Sequence, residues 1–265
     1  MKLGIALPLL GDSPHKYREL QIRLESVRRN RFHGVELHID DPRKTNPAKI
    51  AKLLAALGLE LAALGTGMTY TKFGLSFLDD RKYIRAAAAQ RAHEYIRLGS
   101  ELDCAVILGL IRGSYSARLG RNGGKDRLSQ TLRQICGLAD RAGVQLLLEP
   151  VNRAESNLIH TLSDGARMLA RVGTTKMRIL ADTYHMNIEE DSPVQSIRSF
   201  GRHIGHVHLA DCNRGAPGQG HIDFEAVLRA LKQVNYQGWV SAEIIFKPDE
   251  AQAFRQTGKA IAPLL

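Results

Sequence analysis

The chain has 265 residues, 44% hydrophobic and 24% charged, with 24 Gly and 9 Pro, an ordinary globular composition that excludes disordered, collagen-like and fibrous classes. Its 37 Lys+Arg against 27 Asp+Glu give a formal charge of +10, which taken whole suggests a polyanionic partner; the excess, however, sits in residues 1–130, with 22 basic against 13 acidic side chains there and 15 against 14 in the rest. Cys104, Cys136 and Cys212 lie far apart and make neither a Cys-x-x-Cys pattern nor an even disulfide framework, and no run of about 18 apolar residues can span a membrane, so a reducing, cytoplasmic setting is expected.

Along the chain, short apolar runs alternate with helical patterns. Residues 3–10 mimic the apolar core of a signal peptide but lack a small-residue cleavage site. Residues 3–7 instead read as a strand, followed by a helix over 16–30 with Tyr17, Leu20, Leu24 and Val27 on one face. The second strand is 34–39, and its helix opens at Pro47, carries Ile50, Leu53, Leu54 and Leu57, and stops at Gly58. Residues 60–64 form the third strand, before a long helix over about 79–99. The fourth strand, 104–108, leads into a Gly- and Arg-rich loop and a helix over about 125–142.

The second half keeps the rhythm. Strands are predicted at 144–148, 177–181, 204–209 and 239–244, with helices at about 162–172, 191–200, 223–234 and 249–262. Eight strand-then-helix units without a linker predict an α/β chain folded as one (β/α)8 TIM barrel domain over residues 1–265. The alternative is an open, doubly wound sheet, which would carry a Gly-rich phosphate loop after its first strand; residues 7–11 have none.

Four polar residues close successive apolar runs in this half. Glu149 follows VQLLL, Asp182 follows RILA, His208 ends GHVH and Glu243 follows WVSA. In a barrel such positions face the C-terminal mouth, so four neighbouring strands can aim these groups at one point. Three carboxylates and an imidazole suit a hard or borderline divalent ion, favouring Mn²⁺, Co²⁺ or Mg²⁺ over a thiolate-held zinc. Taken singly, an acid at a strand end is more often a helix cap or loop ligand and a lone histidine more often structural; the four in phase on consecutive strands favour the metal.

The surrounding segments carry a family resemblance. EPVNR (149–153) with Glu155, DTYHMN (182–187), HVHLAD (206–211) leading into NRGAPGQG (213–220), and SAE (241–243) together resemble the xylose isomerase-like barrel superfamily of sugar isomerases and epimerases, which also contains endonuclease IV. Within it the chain is most similar to D-tagatose 3-epimerase-like and 3-dehydro-glycoside epimerases. The resemblance implies that Glu149, Asp182, His208 and Glu243 hold one divalent metal, Mn²⁺ foremost with Co²⁺, Mg²⁺ or Zn²⁺ as alternatives. It also implies that Glu149 and Glu243 are the acid–base pair, and that Glu155, His185 and Arg214 grip the substrate's hydroxyls and carbonyl end. The expected partner is a small sugar or keto-sugar, and a homodimer or homotetramer is expected by analogy with relatives.

The chemistry is consistent. Epimerisation beside a carbonyl removes a weakly acidic C–H proton and returns one to the opposite face, with an enediolate in between. An aldose–ketose isomerase of the hydroxypyruvate type and an inosose-type dehydratase use the same groups and stay open. An endonuclease IV-like activity is disfavoured, because the segment after His208 has no Asp-x-His and strands three and four do not end in His. The basic loop 112–127 is expected to overhang the mouth as a solvated, mobile loop, and residues 65–74 to shape the pocket. Glu36 is read as a structural hydrogen-bonding group, and His206 as a neighbour of the metal set rather than a member.

Overall fold

A computed structural model describes all residues, 1–265. Eight parallel strands pair in chain order and close on themselves: β1 (Lys2–Leu9), β2 (Gly34–Ile39), β3 (Glu60–Gly65), β4 (Ala105–Leu108), β5 (Leu146–Leu148), β6 (Met177–Asp182), β7 (Ile204–Leu209) and β8 (Trp239–Ala242), the last pairing back onto β1. The predicted TIM barrel is therefore what the chain forms. Ten α-helices surround it: α1 (Pro14–Arg29), α2 (Pro47–Leu57), α3 (Gly67–Thr71), α4 (Lys82–Glu101), α5 (Gly120–Ala142), α6 (Leu162–Val172), α7 (Thr183–Glu189), α8 (Pro193–Phe200), α9 (Phe224–Gln233) and α10 (Glu250–Ile261).

Local chemistry sets the helix ends. Ser13 and Asn46 cap α1 and α2 through hydrogen bonds from the Lys16 and Lys49 amides, each with Pro at the next position. Thr161 and Asp164 form a reciprocal capping box at α6. A core of 59 buried residues fills the space between sheet and helices. A separate group, Ala63, Ile107, Leu147 and Leu180, comes from β3 to β6 and packs inside the barrel. Because strand side chains alternate between faces, the residues two further along those strands point the same way, toward the mouth. Leu147 is thus followed by Glu149, and Leu180 by Asp182.

Four details differ from the sequence expectations. The long helix expected at about 79–99 is α4, which starts at Lys82 because the Asp79 carboxylate is engaged by the Arg81 amide and guanidinium, and the stretch 65–74 before it contains a short helix of its own, α3. A short helix, α7, follows β6 directly, started by Asp182 itself. The stretch 112–127 is not a solvated loop throughout: α5 begins at Gly120, and Arg112 is buried, 1% exposed. Strand β8 ends at Ala242 rather than 244, since the chain turns out to let the Ile245 amide donate to the Arg214 carbonyl.

Candidate active site

The barrel brings together the four side chains that the strand ends nominated. Glu149 and Glu243 each lie one residue beyond their strands, Asp182 ends β6, and His208 is the penultimate residue of β7. A register shift between Ile179 and Leu180 sets Asp182 directly beside His208 in the β6–β7 pairing. One donor atom from each of the four falls within 4.8 Å of the others. His208 Nδ1 is central, 3.6 Å from Glu149 Oε1, 3.6 Å from Asp182 Oδ2 and 3.7 Å from Glu243 Oε2.

These separations are too long for direct hydrogen bonds. Asp182 Oδ2 and His208 Nδ1 are fully buried and have no hydrogen-bond partner. Leaving a buried carboxylate oxygen and an imidazole nitrogen unmet is costly, and a divalent cation among the four donors satisfies both. The donor set of three carboxylates and one imidazole fits such an ion. Asp182 also caps α7, its Oδ1 accepting from the Tyr184 and His185 amides at 2.7 and 3.3 Å while Oδ2 stays free for an ion. The helix-cap and ligand readings of that residue are not rivals.

Behind His208 lies a fully buried carboxylate. Both oxygens of Glu36 are 3.0 Å from His208 Nε2, His38 Nε2 is 2.7 Å from Oε1, and His206 Nε2 approaches Oε2 to 3.0 Å. With the Nε2 proton of His208 donated to Glu36, Nδ1 is left facing the carboxylate cluster. Burial alone would raise the Glu36 carboxyl, but His208, His206 and His38 together hold it well below the usual range. Burial would lower His208, yet Glu36 and Glu243 raise it well above. Glu36 therefore makes the hydrogen bonds expected of it, and His206 stands where its strand phase puts it.

The cavity in front of this cluster has a volume of about 170 Å³. Glu149, Glu243, Glu155, His185 and Arg214 all line it, while Asp182, 1% exposed, sits behind. The Arg214 guanidinium donates to Glu155 Oε1 at 2.9 Å and to Glu243 Oε2 at 3.0 Å, and lies over the Tyr184 ring. Its backbone is left-handed, with φ 58°, held by its amide donating to the Asp211 carbonyl. His185 Nδ1 accepts from the Asn152 amide at 3.2 Å, which leaves the proton of the neutral ring on Nε2. Glu243 is held below its ordinary value, since His208, His38 and Arg214 outweigh the opposing effect of burial.

Sequence reasoning missed three residues here. His38 lines the cavity and was detectable in principle, being two residues beyond Glu36 on the same face of β2. Asn152 orients His185, a role visible only in three dimensions. Arg112 was read as part of a surface loop; its guanidinium in fact hydrogen-bonds the Glu149 carbonyl at 2.6 Å.

Known proteins share this fold and much of this sequence. The profile of the family described as Xylose isomerase-like TIM barrel matches residues 24–262. A 3-dehydro-D-guloside 4-epimerase from Escherichia coli is 39% identical over 137 residues, 51% of this chain, and the match spans about half of that relative's length, 52%. An L-ribulose 3-epimerase from Mesorhizobium japonicum is 32% identical over 228 residues, covering 85% of this chain and 75% of its own. The crystal structure of a 3-keto-D-glucoside 4-epimerase from E. coli superimposes over 100% of this chain and 98% of its own, with a TM-score of 0.81 at 27% identity.

Proposed function

The chain belongs to the xylose isomerase-like TIM barrel family, and from that premise we propose that it is a divalent-metal-dependent epimerase acting next to a ketone on a ketose or keto-glycoside. The observation that carries the reading is the cluster of Glu149, Asp182, His208 and Glu243, with Asp182 Oδ2 and His208 Nδ1 buried and unmet. A divalent ion held by these four, Mn²⁺ foremost, would polarise the substrate's carbonyl as a Lewis acid.

The chain's own groups do the rest. Glu149 and Glu243 come from β5 and β8, on either side of the cluster. One carboxylate accepts the proton from the carbon beside the carbonyl, and the other, protonated, returns a proton to the opposite face. No net proton is gained or lost, and the pair exchange roles in the reverse direction. His185 lines the cavity, and with Nδ1 taken by the Asn152 amide its Nε2 proton would be the donor to the developing oxyanion. Arg214 ties Glu243 to Glu155 and so fixes both the base and a carboxylate that accepts from sugar hydroxyls.

Cavity size and charge narrow the substrate. A volume of about 170 Å³ is small beside the roughly 300–1,000 Å³ of drug-sized ligand sites, and suits one sugar unit in the enclosed part. The only Arg or Lys on its lining, Arg214, is already paired with two carboxylates, which favours a neutral sugar over a phosphorylated one. The test is deuterium wash-in: Mn²⁺-loaded protein in D₂O is given free ketoses, ketose phosphates, hydroxypyruvate and 3-keto-glucosides, each followed by NMR. Deuterium beside the carbonyl together with a new epimer of a neutral ketose or keto-glycoside is expected. Exchange confined to hydroxypyruvate or to the phosphates would overturn the substrate class, and no exchange on any, with metal bound, would overturn the proton-transfer reading.

A further inference from the structure

Arg112 stands on the short 3-10 turn Leu110–Arg112 just beyond β4 and is the bulkiest of the fully buried side chains. A buried cation is expected to have a carboxylate partner; Arg112 has no ion pair within 4 Å. Its three directional bonds all go to backbone carbonyls: Nε–H to Gly109 at 3.1 Å, Nη1–H to Leu158 at 2.7 Å and Nη2–H to Glu149 at 2.6 Å. Burial lowers its pKa to about 10, so it remains charged at neutral pH.

The three carbonyls are not arbitrary. Glu149 is the candidate metal ligand and proton carrier at the end of β5. Gly109 is the residue against which the Glu149 carboxylate rests: a Cβ there would fall 2.2 Å from Glu149 Oε2. Leu158 begins the left-handed turn at Ile159, where φ is 65°, a conformation that β-branched residues rarely adopt. The Ile159 carbonyl in turn accepts from the Val151 amide, two residues beyond Glu149. The planar fork of one guanidinium thus clamps the backbone that carries Glu149, the backbone its carboxylate leans on, and a strained turn that lies alongside both. An ammonium group, a single point of charge, cannot span the three acceptors.

We propose that Arg112 is a positioning residue for Glu149, holding the Glu149 backbone in register with Gly109 so that its carboxylate faces His208 and Asp182. The inference rests on the reading of Glu149 as a metal ligand, and its test keeps the two separable. Mn²⁺ affinity is measured by titration calorimetry on the full chain, with folding checked by circular dichroism and thermal melting. Arg112→Lys is expected to fold and to bind Mn²⁺ about 10- to 100-fold more weakly, the usual cost of disturbing groups that orient metal ligands.

Ser156→Ala loosens the same clamp more gently. Ser156 Oγ donates to the Gly113 carbonyl at 3.1 Å, with the Leu158 carbonyl at 3.4 Å, and accepts from the Leu158 amide. The expected loss is roughly three- to tenfold, the fold-change equivalent of one neutral hydrogen bond, and this variant decides the matter if Arg112→Lys does not fold. Arg91→Lys is the control: Arg91 is also buried and bonded to a backbone carbonyl, that of Asp40, and has no contact with the four candidate ligands. It is expected to lower the melting temperature and leave Mn²⁺ affinity unchanged. Wild-type affinity in folded Arg112→Lys, or an equal loss in Arg91→Lys, overturns the positioning role. Failure of the wild-type chain to bind Mn²⁺ removes the metal reading of Glu149 and the inference with it.

Discussion

Two buried aspartates at the ends of neighbouring strands, β6 and β7, behave oppositely. Asp211, just beyond β7, is 0% exposed, and each of its oxygens accepts two amides: Oδ1 those of Cys212 and Ile222, Oδ2 those of Gly218 and Gly220, all at 2.8–3.1 Å. The loop 211–222 is wound around that carboxylate closely enough that a Cβ on Gly220 would lie 2.3 Å from Oδ1. Asp182 is 1% exposed, with one oxygen capping α7 and the other meeting nothing. Residue type and burial are the same in both. What separates architecture from a binding site is whether the protein itself saturates the acceptor.

The largest expected effect breaks the open side of this comparison. Glu243→Gln keeps the size of the side chain and removes its capacity to take a proton, and should slow solvent exchange into substrate by about 10²- to 10⁴-fold. Turnover within a factor of two of the wild type would remove Glu243 from proton transfer. Next in size is the stabilisation an ion brings by filling the unmet donors. At 100 times its dissociation constant, Mn²⁺ should stabilise the chain by about 2.7 kcal/mol, seen as a raised melting temperature. Asp182→Asn retains a capping oxygen and loses the charged, unmet one, so it should fold and respond much less. An identical Mn²⁺ shift in the two proteins would show that the ion binds elsewhere.

How much of this was readable from sequence follows the same division. The strands could be found because their apolar runs are short and regularly spaced: β2 and β7 fall where the pattern puts them, and α2 ends at Gly58 as its composition indicates. Glu149, Asp182, His208 and Glu243 could be nominated because strand ends in a barrel share one face of the molecule. What escaped were effects of long-range packing. Arg112 looks like one of several exposed arginines in a basic stretch; only the fold shows that it points inward to carbonyls from three segments. Helix α7 is too short to show a period, and exists because Asp182 caps it. His38 has only its strand phase with Glu36 to mark it in the sequence; the fold adds that it lies 3.7 Å from Glu243 Oε1.

The smallest expected effect sharpens the saturated side. In Asp211→Asn, an NH₂ group replaces an oxygen that accepts two amides, losing those bonds and setting donors against donors. The cost should be about 2 kcal/mol, the range for hydrogen bonds to a charged group, with Mn²⁺ affinity unchanged because the ligands are untouched. The effect must also depend on pH. Burial alone would raise the Asp211 carboxyl, but the amides of Ile222, Cys212, Gly220 and Gly218 together hold it below its ordinary value. A group depressed in the folded state contributes stability that is fully present above its unfolded pKa, about 3.9, and is lost as pH falls through the folded one. The gap in unfolding free energy between wild type and Asp211→Asn should therefore be full at pH 7 and shrink below about pH 4. A gap that stays constant down to pH 2.5 would mean that the four amides hold the neutral acid as well as the carboxylate, and that the contrast with Asp182 lies in shape rather than in charge.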